Sequence, residues 1–517
     1  MNTFIRRRGV AGLIVALVLV LIAGAVSTGL AQRPRKRLVW GQALPTLCLD
    51  TTGGGRLPDW NNRMNIYNSL VTHKSGTLTE VAPDLAERWT VSPDGTVYTF
   101  FLRSGVRWHE NFGELTAEDV KYSWERLLNP ATRAVDNSDL RPVKSIEAVD
   151  PRTVRVTLNA PSAGWLTNVA NSAWTGIVNR RAVEERGVGH CLRPIGTGPY
   201  RVVRAEARGG VILAAHDEYF GGRPRIDDVE MRVIPEESVA VLALRSGDID
   251  FMLVREFPNI ALLRRVANVN VNFDFKGSTS TYVLWLNNTR PPLNDPRVRR
   301  ALAHATDRKT LTLKVTETLT TNAATSFVPP SVFGHTADVT KYEFDRAKAR
   351  RMLAEAGHPD GFKIKLMILN SAYHPPTAII IQAMWKQVGV DVQIEPLEVA
   401  VRSARQRAGD YDMALSNPTV AEVSQILGYF DPRNIPGTNL NLYKGQGLDR
   451  LIDAQDREVN PQRRAAIIKQ IQQQLANDMP GIPLWYVSEG TAARNNVRGM
   501  IPNLGWWQTR FYLMDKD

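Results

Sequence analysis

Cysteine is nearly absent: 517 residues contain two, Cys48 and Cys191. That scarcity excludes a disulfide-dense scaffold and any CxxC zinc or redox site. In an oxidising compartment the two can pair, closing a long loop worth on the order of 4 kcal/mol in the chain-entropy treatment. Two separate buried thiols fit the spacing equally well. The usual catalytic signatures are missing too. The eight histidines include no pair four residues apart, Trp108-His109-Glu110 lacks the second histidine of a zinc-protease helix, and neither a GxSxG elbow nor a P-loop occurs. No enzyme, metal site or other cofactor is therefore expected. Short-period repeats and low-complexity segments are absent as well. Although the net charge is +12, the body has no dense Lys/Arg block with interleaved aromatics, so nucleic acid is not an expected partner.

The chain does have enough apolar material for a large core. Hydrophobic residues make up 43% and charged residues 22%, a globular composition, and the length allows about three units of ~150 residues. At the N-terminus, Arg6, Arg7 and Arg8 precede an apolar run from Val10 to Val26, and the small residues Gly29 and Ala31 stand before Gln32. This pattern reads as an export signal over residues 1–31, giving a periplasmic or otherwise extracytoplasmic protein. Because the apolar run is long, an uncleaved membrane anchor is the competing reading.

Midway along, Tyr282, Leu284 and Leu286 alternate with Val283, Trp285 and Asn287, the period of a strand. Pro291 and Pro292 end it. Asp295 then supplies an N-cap and Pro296 a first-turn proline for a helix bearing Val298, Ala301, Leu302 and Ala305. Elsewhere Ser92, Pro93, Asp94 and Gly95 spell a turn before a strand with Tyr98, Phe100 and Leu102 on one face. Thr116 and Asp119 make a capping box for a helix with Val120, Trp124 and Leu127. In the second half Asp345 caps a helix from Arg346 to Ala356, and Pro461 opens a long one. Strands at Phe362 to Leu369 and Val390 to Ile394 flank a helical AIIIQAMWKQVG. Alternating strands and helices argue for an α/β lobe with substantial parallel pairing.

Five segments, in order, carry a resemblance: LAERWTVSPDGTVYTFFLRSGVRWHENFGELTAEDV, IGTGPYRV, YFGGRPRIDDVEMRVIPEESVAVLALRSGDID, LWLNNTRPPLNDPRVRRALAHATDR and KYEFDRAKARRMLAEAG. Together they resemble the extracytoplasmic solute-binding proteins of family 5, the dipeptide, oligopeptide and nickel type that serve ABC importers. The resemblance implies an α/β, two-lobed periplasmic-binding-protein type II fold of the large cluster C kind, with an extra α+β domain. It implies lobe one from residues 38–72, 193–280 and 481–517, the extra domain at 73–192, and lobe two at 281–480. It further implies a monomer that closes around a small solute, a peptide or peptide-like molecule, and presents it to an inner-membrane ABC permease. A sensor or peptide-holding module of the same fold, and a binder of an oligosaccharide or metal chelate, are the alternative readings.

One departure bears on the ligand. In the peptide-binding branch a tryptophan-containing loop and an Asp-Pro pair follow the strand equivalent to YDMAL, and the acid meets the peptide's amino group. Here the sequence runs YDMALSNPTVAEVSQILGYFDPRN: the loop lacks tryptophan, Glu422 stands near the expected acid, and Asp431-Pro432 comes too late. Glu422 is thus the candidate partner of a ligand ammonium, with Asn417 beside it on the same loop; an exposed loop is the alternative. Trp60 and Asn61, after the glycine-rich stretch Thr51 to Arg56, can offer an aromatic floor with a polar edge or simply pack. Trp285 either faces the cleft or wedges the lobe junction. Trp385 reads as packing, and Trp506 and Trp507 as core or surface of lobe one.

Overall fold

A computed structural model describes residues 34–517 apart from 54, 56, 274–277, 321, 371–372, 436, 488–489 and 501–508. The export segment, part of the glycine-rich stretch, and Trp506 and Trp507 lie outside the described residues. Among those described, no helix is long and apolar enough to cross a membrane.

Two sheets organise the molecule. The first has seven strands in the order Val269–Asn272, Gly490–Arg494, Phe251–Val254, Arg37–Gln42, Asp228–Val233, Val211–Ala215 and Tyr200–Ala205. Arg37–Gln42 runs parallel to both of its neighbours, and the remaining pairs are antiparallel. Trp40 on that strand is buried, with its ring 6.0 Å from Phe251 and 5.6 Å from Phe511. The C-terminal segment is thereby fastened to the opening strand.

The second sheet has five strands in the order Val390–Leu397, Phe362–Leu369, Met413–Ser416, Ser280–Leu286 and Gly481–Val487. Phe362–Leu369 is parallel to both neighbours, as the helix His374–Lys386 between strands requires, whereas Ser280–Leu286 is antiparallel to both of its own. Every residue of Ser280–Leu286 is buried. Its alternation sorts two cores: Tyr282, Leu284 and Leu286 join one apolar cluster, and Val283 and Trp285 join another on the opposite face. The capped helix expected after it is present as Pro296–His304, with Asp295 Oδ1 accepting from Arg297 N at 2.7 Å. The expected return to lobe one at residue 481 needs correction. Gly481–Val487 pairs with Ser280–Leu286 in the second sheet, and the chain rejoins the first sheet at Gly490–Arg494. The run GIPLWYV is apolar throughout and buried at every position, so it satisfies a central strand before the crossover.

A further sheet is four-stranded and antiparallel, with Ala86–Val91, Val97–Leu102, Thr153–Leu158 and Val143–Asp150 in that order. Gly95, at φ +71°, closes the expected turn by donating its N–H to Ser92 O at 2.8 Å. Ala117–Leu128 covers one face through the buried Val120, Trp124 and Leu127, and Thr116 N donates to Asp119 Oδ2 at 2.9 Å at its start. Cys48 and Cys191 are joined in a disulfide, their Cα atoms 4.5 Å apart.

Candidate functional site

A cavity of about 580 Å³ is bounded on one side by residues from the first 175 positions and on the other by the loop that follows Met413–Ser416. The first wall carries Trp60, Asp136, Ser138, Asp139, Asn168, Asn171 and Trp174. The facing wall carries residues Asn417 to Ala421, Ser424, Gln425, Gly428, Tyr429 and Thr438. Trp60 and Trp174 meet with ring centroids 5.1 Å apart at 37°.

Trp60 owes its position to an unusual helix, Leu57–Ile66. Eight of its ten residues are buried, yet most of them are polar. They fasten loop backbone that would otherwise be unsatisfied. Asp59 Oδ1 accepts from Leu47 N at 2.7 Å and Cys48 N at 3.1 Å. Arg63 donates to Cys48 O at 3.0 Å, to Ala173 O at 3.2 Å and to Gly53 O. The same guanidinium thus ties the helix to the segment that carries Trp174. Asn61 is wholly buried: its Nδ2 donates to Leu57 O at 3.2 Å and its Oδ1 accepts from Thr509 N at 3.3 Å. Asn61 therefore holds the C-terminal segment against this helix, and it does not line the cavity.

On the facing wall, Asn417 lines the cavity, with Nδ2 3.5 Å from Ser280 Oγ. Trp285 does not reach the cavity. It is 3% exposed, stacks at 15° against both Phe327 and Tyr429, and donates Nε1–H to Ser416 Oγ at 2.7 Å. Trp285 is the core support of Tyr429, which does line the cavity.

Glu422 is not among the residues that line this cavity. Its carboxylate is buried, accepts from Arg464 Nη2, and accepts from Ser424 N at 2.6 Å to cap the short helix Val423–Leu427. Arg464 also donates to Gln455 O and lies 5.2 Å from the Phe333 ring centroid. This pair borders a separate cavity of about 210 Å³ that includes Thr79, Ala163 and Thr167. A carboxylate so engaged has its charge met within the protein. Asp431 likewise is occupied, capping Pro432–Asn434 and pairing with Arg433 at 2.7 Å.

Two carboxylates line the 580 Å³ cavity, those of Asp136 and of Asp139, the latter in the 3₁₀ turn Ser138–Leu140. Burial, and secondly the neighbouring Asp136 charge, push the Asp139 carboxyl up to about 7. Asp136 itself accepts from Ser138 N at 2.8 Å. No periodicity marks these two in the sequence. Among the described residues no group of three or more His, Cys, Asp or Glu side chains is arranged to hold a metal. His109 sits in the interior instead: Nε2 donates to Gly198 O at 2.9 Å, Nδ1 accepts from Gly196 N at 3.3 Å, and burial lowers its pKa to about 3.

Comparison with known proteins matches residues 80–434 to the family model described as bacterial extracellular solute-binding proteins, family 5 Middle. Di/tripeptide-binding protein 2 of Pseudomonas aeruginosa is 30% identical over 469 residues, spanning 84% of this chain and 86% of its own length. Heme-binding protein A of Haemophilus influenzae is 29% identical over 455 residues, 81% of each chain. Among solved structures, the periplasmic binding protein DppA from Helicobacter pylori, in complex with the peptide STSA, superposes with a TM-score of 0.81 at 28% identity. It covers 93% of this chain and 98% of that one.

Proposed function

Because the chain belongs to the family 5 bacterial extracellular solute-binding proteins, we propose that it captures a peptide or peptide-like small solute in the large cavity and hands it to a membrane ABC permease. In this reading lobe one comprises residues 38–72, 193–280 and the chain from 490 onward, the extra domain 73–192, and lobe two 281–487. The protein works outside the cytoplasm, and it binds its solute without turning it over.

The observation that carries the proposal is a cavity of about 580 Å³ lined both by residues between Trp60 and Trp174 and by residues between Asn417 and Thr438. A solute touching both walls favours the closed arrangement by its differential contacts, and closure is the signal a permease can read. Trp60 and Trp174 supply a broad apolar surface, and Asn168, Asn171 and Asn417 supply amide groups that match peptide N–H and C=O. Related proteins named for dipeptides, tripeptides and heme agree with a cleft whose general shape is kept while its lining sets the ligand.

The test is solution scattering on purified protein, first as isolated with its co-purified solute identified by mass spectrometry, then stripped of it, then with that solute restored. The radius of gyration is expected to rise on stripping and fall on restoration. An unchanged radius in all three states would remove the closure mechanism. Mass analysis of the secreted protein then reads the N-terminus: a start at Gln32 marks a released protein, and an intact Met1 marks an anchored one.

A further inference from the structure

The cavity is uneven in sign. Its described lining includes Asp136 and Asp139, and no lysine, arginine or histidine, in a chain whose net charge is +12. Asp136 is partly engaged with Ser138 N, whereas the Asp139 carboxylate has no hydrogen-bond or ion-pair partner among the described residues. Asn168 and Thr419, on opposite walls, add Oδ1 and Oγ1 atoms that are buried and also without partners there. A carboxylate and an amide oxygen are left over together, beside a hydroxyl that can either donate or accept, and buried acceptors are costly until a donor arrives. The Trp60 and Trp174 faces attract positive charge through their ring quadrupoles. An anionic solute would meet two carboxylates and no described compensating cation.

Resting on solute capture in this cavity, we propose that the ligand is a cation rich in N–H donors, and that Asp139 takes its ammonium or guanidinium from the extra-domain wall while Trp60 and Trp174 receive its flat or apolar part. The acidic anchor then sits across the cavity from the 417–429 loop, where the sequence pattern had looked for it. The raised carboxyl pKa of Asp139 agrees with a group waiting for a counter-charge, since a cation at contact distance favours the ionised form.

The experiment uses the full secreted protein stripped of co-purified solute. Its probes are the tripeptide Ala-Trp-Ala as the C-terminal amide with a free amino group, as the zwitterion, and as the N-acetylated acid, with agmatine and spermidine as non-peptide cations. At least one cationic probe is expected to bind and raise Tm, and the N-acetylated acid is not. Asp139→Asn is expected to weaken that cation about tenfold or more, the scale of one charge-assisted contact, with the unliganded Tm unchanged. Asp139→Ser serves as a second variant should the first lose stability. Equal binding of the N-acetylated acid, silence from every cation, or unchanged cation affinity in Asp139→Asn would each overturn the proposal. A neutral or anionic co-purified solute would also remove it while leaving solute capture standing. Absence of compaction with any solute removes capture itself.

Discussion

Gly164, at the start of the short helix Trp165–Asn168, lies directly against the carboxylate of Glu422: a Cβ at position 164 would fall 2.5 Å from Glu422 Cδ. Next to it, Ala163 N donates to Asp456 O at 2.7 Å. The segment around Gly164 is thus latched by backbone to the helix Leu448–Arg457, at a point where the opposing Glu422 side chain is held by Arg464 and by its own helix cap. Any side chain at 164 must displace a group that is held in place.

Gly164→Val is therefore expected to leave the separate sheets intact but hinder their approach. Solute affinity should fall about tenfold or more, the size of a ~1.4 kcal/mol penalty on the closed form. Scattering with the co-purified solute should show no compaction. Normal affinity with normal compaction would show that the latch yields freely.

Glu422→Ala leaves Arg464 buried without its carboxylate and removes the cap of Val423–Leu427. A loss of about 3 kcal/mol or more in unfolding free energy is expected, measured by denaturant titration of the solute-free protein. Replacing Glu422 and Arg464 together with apolar residues should recover part of it. A fully stable Glu422→Ala would mean that the pair contributes little.

The two tryptophans separate stability from binding. Trp285→Ala should destabilise by about 3–5 kcal/mol, because a buried aromatic is lost from between Phe327 and Tyr429. Trp60→Ala, half-buried at the cavity wall, should cost less stability and weaken solute binding by about 1–1.5 kcal/mol of lost aromatic contact. Calorimetry and denaturation on both variants check the split; a binding loss in Trp285→Ala without loss of stability would overturn it.

Buried histidines set a pH dependence. His109 is held neutral, its pKa lowered to about 3 chiefly by burial, and His73 and His374 are lowered to about 4, also chiefly by burial. Each is protonated in the unfolded chain below about 6.5 but not in the folded one, so stability present above 6.5 is lost as pH falls toward 4. Asp84 and Asp139, raised to about 6 and about 7, oppose this trend over part of the range. His109→Gln should make the slope between pH 6 and 4 shallower by up to about 1.4 kcal/mol per pH unit. An unchanged slope would show that His109 takes up its proton in the folded state.

The sheets and capped helices were readable because local rules and tertiary packing agree there. Asp295 before Pro296, the turn at Gly95 and the alternation from Tyr282 to Leu286 each specify geometry within a few residues. Trp285 was ambiguous for a physical reason: both faces of its strand are buried, so alternation assigns a side without telling core from cavity. The engagement of Glu422 is not legible locally, because its partner Arg464 is 42 residues away, on a different helix. Leu57–Ile66 has no continuous apolar stripe to read, since most of its buried side chains are polar and several serve loop backbone. Asp139 had no motif at all. Only the folded chain brings its turn opposite Asn417.

The bond between Cys48 and Cys191, with a sequence separation of 143, makes the intervening stretch a covalent ring that includes the whole four-stranded antiparallel sheet. A protease that nicks one loop inside the ring severs the chain without freeing a fragment. Under non-reducing conditions the cut molecule should migrate as one species, and reduction should divide it in two. Damage to the stretch that carries Asp139 and Trp174 would then be carried along with the intact remainder.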